Sequence, residues 1–264
     1  MDTPGLGGRL EELARELEEF EASESVASTG TGTRREGAKF EGLMADFWDE
    51  VALLLASNGA TATSVRGPGS RDYVAIEMSG RVVVLPSTTT AVGRGHIATR
   101  WLDLTYKVED LITAFPGTPD AIERYSPDGG PYADSNYPRM FKNLSTKFDD
   151  AILLIEDGVL REKKLLEYKT AKSSRGTAID GNAHERLSFQ IMQYLEIATR
   201  YPKCSLIVIA NGAFARYKNK YHVNFHVQAD RLSAFSWFEM THACEATEYL
   251  QLVQSLIDWL FETR

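Results

Sequence analysis

The chain has 264 residues, 43% of them hydrophobic and 25% charged. That profile excludes a wholly disordered chain and leaves ample material for a full core. No apolar run approaches the roughly 20 residues a membrane-spanning helix needs, and Met1 to Arg9 does not read as a basic-then-apolar leader. Cys204 and Cys244 are too few for a disulfide scaffold or a four-cysteine zinc site; they read as reduced, buried, small hydrophobes in a cytoplasmic protein. The net charge of -8 argues against nucleic acid as a partner of the chain taken whole. However, residues 1–24 hold eight acids and two bases, and so carry six of those eight net negative charges. The body is close to neutral and has room for a local basic groove.

In chain order, Leu6 to Ala22 reads as an amphipathic helix, with Leu10, Leu13, Leu17 and Phe20 at helical spacing. Glu24 to Gly37, rich in Ser, Thr and Gly, reads as a linker. Residues 1–36 are therefore expected to be an acidic helical arm with a flexible linker. The arm packs one stripe on the body or serves as a dimer contact. A stronger helix is expected over Lys39–Ser57, with Phe40, Leu43, Met44, Phe47, Val51 and Leu54 on one side. Tyr73–Met78 and Arg81–Leu85, separated by Ser79-Gly80, fit a hairpin. Residues 112–142 hold five prolines and three glycines and read as a functional loop excursion.

Beyond that excursion the pattern is regular. Ala151–Ile155 is a short apolar strand, Glu156-Asp157-Gly158 a turn, and Lys164–Thr170 a second strand. Ala183 to Arg200 reads as a long helix stopped by Pro202, Ser205–Ala210 as a third strand and Tyr221–Gln228 as a fourth. Ala246 to Phe261 closes the chain as an amphipathic helix. The order implies an α/β fold, a mixed central sheet flanked by helices, with residues 37–264 as one body.

The informative constellation is Asp149-Asp150 ahead of one strand and Glu167-Tyr168-Lys169 in the next. Two residues apart on a strand, Glu167 and Lys169 project from the same face. If the two strands pair, an aspartate, the glutamate and the lysine converge. Carboxylates at such a point suit Mg²⁺, with Mn²⁺ as a substitute. The cation can polarise a phosphodiester, and the lysine can orient water or hold charge developing on phosphorus. Either Asp149 or Asp150 can be the ligand; Asp150 is preferred because it abuts the apolar strand.

Phe148-Asp149-Asp150-Ala151-Ile152-Leu153-Leu154 and Leu165-Leu166-Glu167-Tyr168-Lys169 resemble the PD-(D/E)XK nuclease superfamily, in which an acid opens one strand and an acid-x-Lys triplet lies in the next. The proline of that motif is missing: Phe148 precedes Asp149, and Asp149 precedes Asp150. The resemblance is tight over about residues 148–211. It implies a restriction-endonuclease-like core, catalysis by Asp150, Glu167 and Lys169 with Asp149, and release of a 5′-phosphate and a 3′-hydroxyl. Many members carry a further acid on the helix before the sheet; Glu41 is the candidate, with Glu50 second. Gln190 and Tyr194, four apart on one helix face, resemble the glutamine–tyrosine motif of RecB-like nucleases. Gly181 to Tyr194 is similar to stretches of type II restriction endonucleases. The most direct expectation is a type II restriction enzyme that cuts a specific double-stranded site as a homodimer. The alternatives are a RecB-like repair nuclease and a non-catalytic DNA-binding protein with a degenerate site.

DNA contacts are expected from the loop Lys172-Ser173-Ser174-Arg175 and the helix entry Asn182, His184 and Arg186, with Gln190 and Tyr194 beyond. Arg66–Arg71 and Arg94-Gly95-His96 read as backbone-contacting loops. Other chemistries lack their motifs: the five histidines form no HExxH helix, and there is no Walker-type loop and no GxSxG elbow.

Overall fold

The computed structural model describes residues 6–20, 31–68, 71–89, 91–93, 99–107, 134, 145–171, 173–174, 178–179, 183–216, 227–228, 230–231 and 240–261. Helix α1 spans Gly8–Glu19, and Leu10, Leu13, Ala14 and Leu17 form its buried stripe. Helix α2 runs Thr31–Ser57, so the segment expected as linker is already helical from Thr31. The amphipathic run from Phe40 nucleates the helix, and each further turn then costs little. It buries Phe40, Met44, Phe47, Trp48, Val51 and Leu55.

Three strands follow: β1 (Thr61–Arg66), β2 (Asp72–Met78) and β3 (Arg81–Pro86). The β2–β3 hairpin turns at Ser79-Gly80 as expected, both at positive φ. Strand β1 was not legible, because Thr61-Ala62-Thr63-Ser64-Val65-Arg66 is a polar edge strand with a single fully buried residue, Val65. β4 (Thr105–Lys107) and β5 (Ser145–Lys147) form a small separate ladder. β6 (Asp150–Glu156) and β7 (Val159–Lys169) form the second hairpin. Its turn residues, Asp157 and Gly158, have φ of 50° and 74°, the two-residue geometry that matches strand twist. β8 (Ser173–Ser174) and β9 (Ala178–Ile179) make a minimal ladder beyond β7.

Helix α3 (Ala183–Arg200) leads to β10 (Cys204–Ala210), then come α4 (Ala213–Arg216), β11 (Met240–Ala243) and α5 (Ala246–Phe261). Of the strand expected over Tyr221–Gln228, residues 221–226 lie outside the described residues, and Val227 and Gln228 are helical. The last strand of the sheet is β11 instead. The 112–142 excursion lies outside the described residues, Asp134 excepted.

Among the described residues the main sheet has seven strands in the order β1-β2-β3-β6-β7-β10-β11. It is antiparallel from β1 to β7 and parallel from β7 through β10 to β11. The crossover from β7 to β10 is α3, as a parallel pair requires. The fold is thus mixed α/β with helices on both sheet faces. On one face Ile152, Leu154, Leu166, Ile207 and Ile209 share a core with α1, α2 and α5. On the other, Leu165, Leu206, Val208 and Ala210 pack against Leu187, Ile191, Tyr194 and Ile197 of α3. This period-two split places neighbouring residues of β7 on opposite faces.

Candidate active site

The start of β6 lies beside the end of β7, with Asp150 paired in register with Leu166. The amide of Asp149 donates to the Leu166 carbonyl at 3.1 Å, and Asp149 Oδ2 accepts from the Tyr168 amide at 2.8 Å. The Asp149 side chain thus extends the β6–β7 ladder by one step and ties the two halves of the motif together. Glu167 and Lys169 share the sheet face opposite Leu166 and Tyr168. The Lys169 ammonium donates to Glu167 Oε1. Glu167 Oε2 is buried and has no hydrogen-bond partner among the described residues. Burial and the charge of Asp149 push the Glu167 carboxyl up to about 7, against the opposing pull of Lys169 and the Asp149 amide.

Asp150 is held differently. Its Oδ1 accepts from the Tyr73 hydroxyl at 2.8 Å and pairs with the Arg71 guanidinium at 2.8 Å. Burial raises its pKa; Arg71, Tyr73 and Tyr168 oppose that shift. Tyr168 is itself anchored by the Trp48 indole, which donates to its hydroxyl at 3.1 Å. Glu41, Trp48, Arg71, Asp150 and Tyr168 line a cleft of about 310 Å³. The pKa of Glu41 is raised by partial burial and by the charges of Asp149 and Asp150, so α2 does bring this carboxylate towards the two aspartates. Glu50 instead acts on Arg9 of α1.

Asp149, Glu167 and Lys169 therefore meet at one end of the sheet, whereas Asp150, in register with Leu166, lies on the Leu166–Tyr168 face and lines the cleft there with Glu41, so the preferred aspartate and the Glu–Lys pair do not converge on one face. Of the two aspartates, Asp149 is the one whose charge acts on Glu167, whereas Asp150 is engaged by Arg71 and Tyr73. Among the described residues no three His, Cys, Asp or Glu side chains stand together as a metal-holding group. The donor chemistry nonetheless fits a hard cation. Mg²⁺ takes one or two protein carboxylates and completes its shell with water and phosphate oxygens, and Oε2 of Glu167 beside Asp149 is an acceptor without a donor among the described residues.

The residues expected to touch DNA divide. Arg186 is exposed on α3. Ser173 and Ser174 lie in β8 and His184 in the first turn of α3; Lys172, Arg175 and Asn182 lie outside the described residues. Gln190 is buried, and Tyr194 is wholly buried with its hydroxyl donating to the Cys204 carbonyl at 2.7 Å. That pair faces the core rather than a nucleic acid, because the helix turns the 190/194 edge onto β10. Arg94 to His96 lie outside the described residues. Arg71, read as part of a backbone-contacting loop, is instead the ion-pair partner of Asp150.

Asn211 was not legible as a site residue. Fully buried, it donates to the carbonyls of Phe20 and Ala171 at 3.0 and 2.7 Å and accepts from the Ala171 amide at 3.1 Å, while its own amide donates to the Lys169 carbonyl at 3.1 Å. It clamps the chain leaving β7 just past the lysine. Only its place directly after an apolar strand marked it. Comparison of the chain with protein-family models, with curated proteins and with solved structures finds no match.

Proposed function

We propose that the chain is a Mg²⁺-dependent endonuclease of the PD-(D/E)XK type, acting on a specific double-stranded DNA site in the manner of a type II restriction enzyme. The observation that carries this reading is the Glu167–Lys169 pair beside Asp149, with a buried glutamate oxygen that has no partner among the described residues. The strand order supports it: β3, β6 and β7 are antiparallel, and β10 returns parallel to β7 through a helix, which is the core the superfamily resemblance implies.

Asp149 and Glu167 would hold Mg²⁺; the ion would supply charge neutralisation and polarisation of the phosphodiester. Lys169, fixed by its contact with Glu167, orients the attacking water and stabilises negative charge developing on the phosphorus oxygens. Arg71 presents a guanidinium at the cleft, where it can hold a phosphate oxygen. Water attack at phosphorus breaks the bond to the 3′-oxygen, leaving a 5′-phosphate and a 3′-hydroxyl. Cutting both strands of a symmetric site calls for a homodimer.

The test is digestion of circular duplex DNA with and without Mg²⁺, beside Lys169→Ala. Discrete fragments that require Mg²⁺ and fall at least a hundredfold in the variant are expected, the scale of removing one preorganised stabilising group (about 10²–10³). Shortening from ends would move the assignment to a RecB-like nuclease. DNA retarded in a gel but uncut with every divalent metal would leave a binding protein.

A further inference from the structure

We infer that the opposite end of β7 carries a second site, which binds a single nucleotide unit. Lys163 stands six residues before Lys169 on the same strand, roughly 20 Å away along an extended chain. It lines a cleft of about 480 Å³ formed by the turn at Thr99–Trp101, β4, the start of β10 and the end of α3. That size is typical of small-molecule sites (about 300–1,000 Å³).

Lys163 is only 5% exposed. Its ammonium donates to the Asp103 carbonyl and lies 5.3 Å from the centre of the Tyr106 ring. Among the described residues it forms no ion pair, and burial lowers its pKa. Burying a cation is costly; the charge of Asp103 offsets this in part, and an anion entering the cleft adds a direct partner for the ammonium. The walls are aromatic. The rings of Tyr106 and Tyr201 are 5.2 Å apart and tilted by 62°, and the Arg100 guanidinium stacks 3.9 Å from the centre of the Trp101 ring. Arg100, Arg200 and Lys203 add positive charge to the lining, against a single acid, Asp103.

An exposed tyrosine ring, Tyr201, that can accept a stacked base, set beside guanidinium and ammonium groups that accept a phosphate, is the chemistry of nucleotide recognition. One carboxylate would need only one of these cations; a phosphate, with three acceptor oxygens, uses several. The unit can be a free nucleotide or an unstacked member of a strand. The site does not depend on the nuclease reading.

The experiment is calorimetric titration of the full chain, without divalent metal, with the four ribonucleoside 5′-monophosphates, their nucleosides, inorganic phosphate and a short single-stranded oligonucleotide. Saturable binding of at least one monophosphate is expected, with its nucleoside and inorganic phosphate each at least about tenfold weaker. Arg200→Ala and Tyr201→Ala, both at exposed positions, weaken it about tenfold without changing the melting temperature. Glu167→Gln leaves it unchanged. Tighter binding of the oligonucleotide than of any monophosphate assigns the unit to a strand; the reverse assigns it to a free nucleotide. The inference is overturned by no saturable binding, by inorganic phosphate binding as well as the nucleotide, or by binding that Glu167→Gln abolishes and Arg200→Ala spares.

Discussion

Glu167 stands under opposing demands: its burial and the charge of Asp149 favour a proton, while Lys169 favours the carboxylate. An unfolded glutamate titrates at 4.5, and the folded side chain at about 7. Between those values the folded chain holds a proton that the unfolded chain releases. This group's contribution to stability is therefore full below the unfolded value and is lost as pH rises through about 7. A divalent cation needs the deprotonated form, so the rise in melting temperature on adding Mg²⁺ should grow across the same window. Melting curves at acid and mildly alkaline pH, with and without Mg²⁺, check this; in Glu167→Gln both trends should vanish. A second residue-scale prediction concerns Gly67. A Cβ there would overlap the Tyr73 ring, whose hydroxyl holds Asp150. Gly67→Ala should cost about 1–3 kcal/mol in urea denaturation and lower activity by displacing Tyr73 from Asp150.

At the scale of elements, α1 packs its apolar stripe on the body, the first of the two readings the sequence offered for it. Leu10, Leu13, Ala14 and Leu17 belong to the same core as Phe40, Phe47 and Tyr249, and Glu18 accepts the Ala246 amide at the start of α5 at 3.1 Å. Leu13→Ala should therefore destabilise the whole protein by about 2–5 kcal/mol, whereas Arg15→Ala on the exposed face should change it by less than about 0.5 kcal/mol; equilibrium denaturation distinguishes the two. The helical stripe of α1 was legible because Leu10, Leu13 and Leu17 recur at helical spacing, but not the surface it meets. The β6–β7 hairpin was legible from an apolar run, an Asp-Gly turn and a second run, all local signals. Strand β11 was not, since Met240–Ala243 is four residues long and pairs with β10, thirty-odd residues earlier.

Over the whole molecule, charge is distributed unevenly. The acidic first helix packs on the body through α2 and α5, so its surface acids act on the whole protein's field. Replacing the exposed Glu11 and Glu19 with glutamine should raise duplex-DNA affinity at low ionic strength and leave stability unchanged, with the gain screened away at high salt. Fluorescence anisotropy across a salt series checks it. Class of fold, the two hairpins, the long helices and the pairing of Glu167 with Lys169 could all be read from residue order. Period-two and 3.6-residue patterns, turn residues and an i,i+2 spacing are properties of short stretches. The different roles of Asp149 and Asp150 could not be read that way. Tyr73 at the start of β2 and Arg71 just before it reach Asp150, nearly eighty residues downstream, because β3 joins β2 to β6 and brings the strand ends together. Gln190 and Tyr194 share a helix face by spacing alone, yet whether that face meets water or β10 depends on how α3 lies on the sheet. Local pattern encodes which side of an element is apolar; which groups finally touch is set by long-range packing, where each contact's geometry depends on every element between.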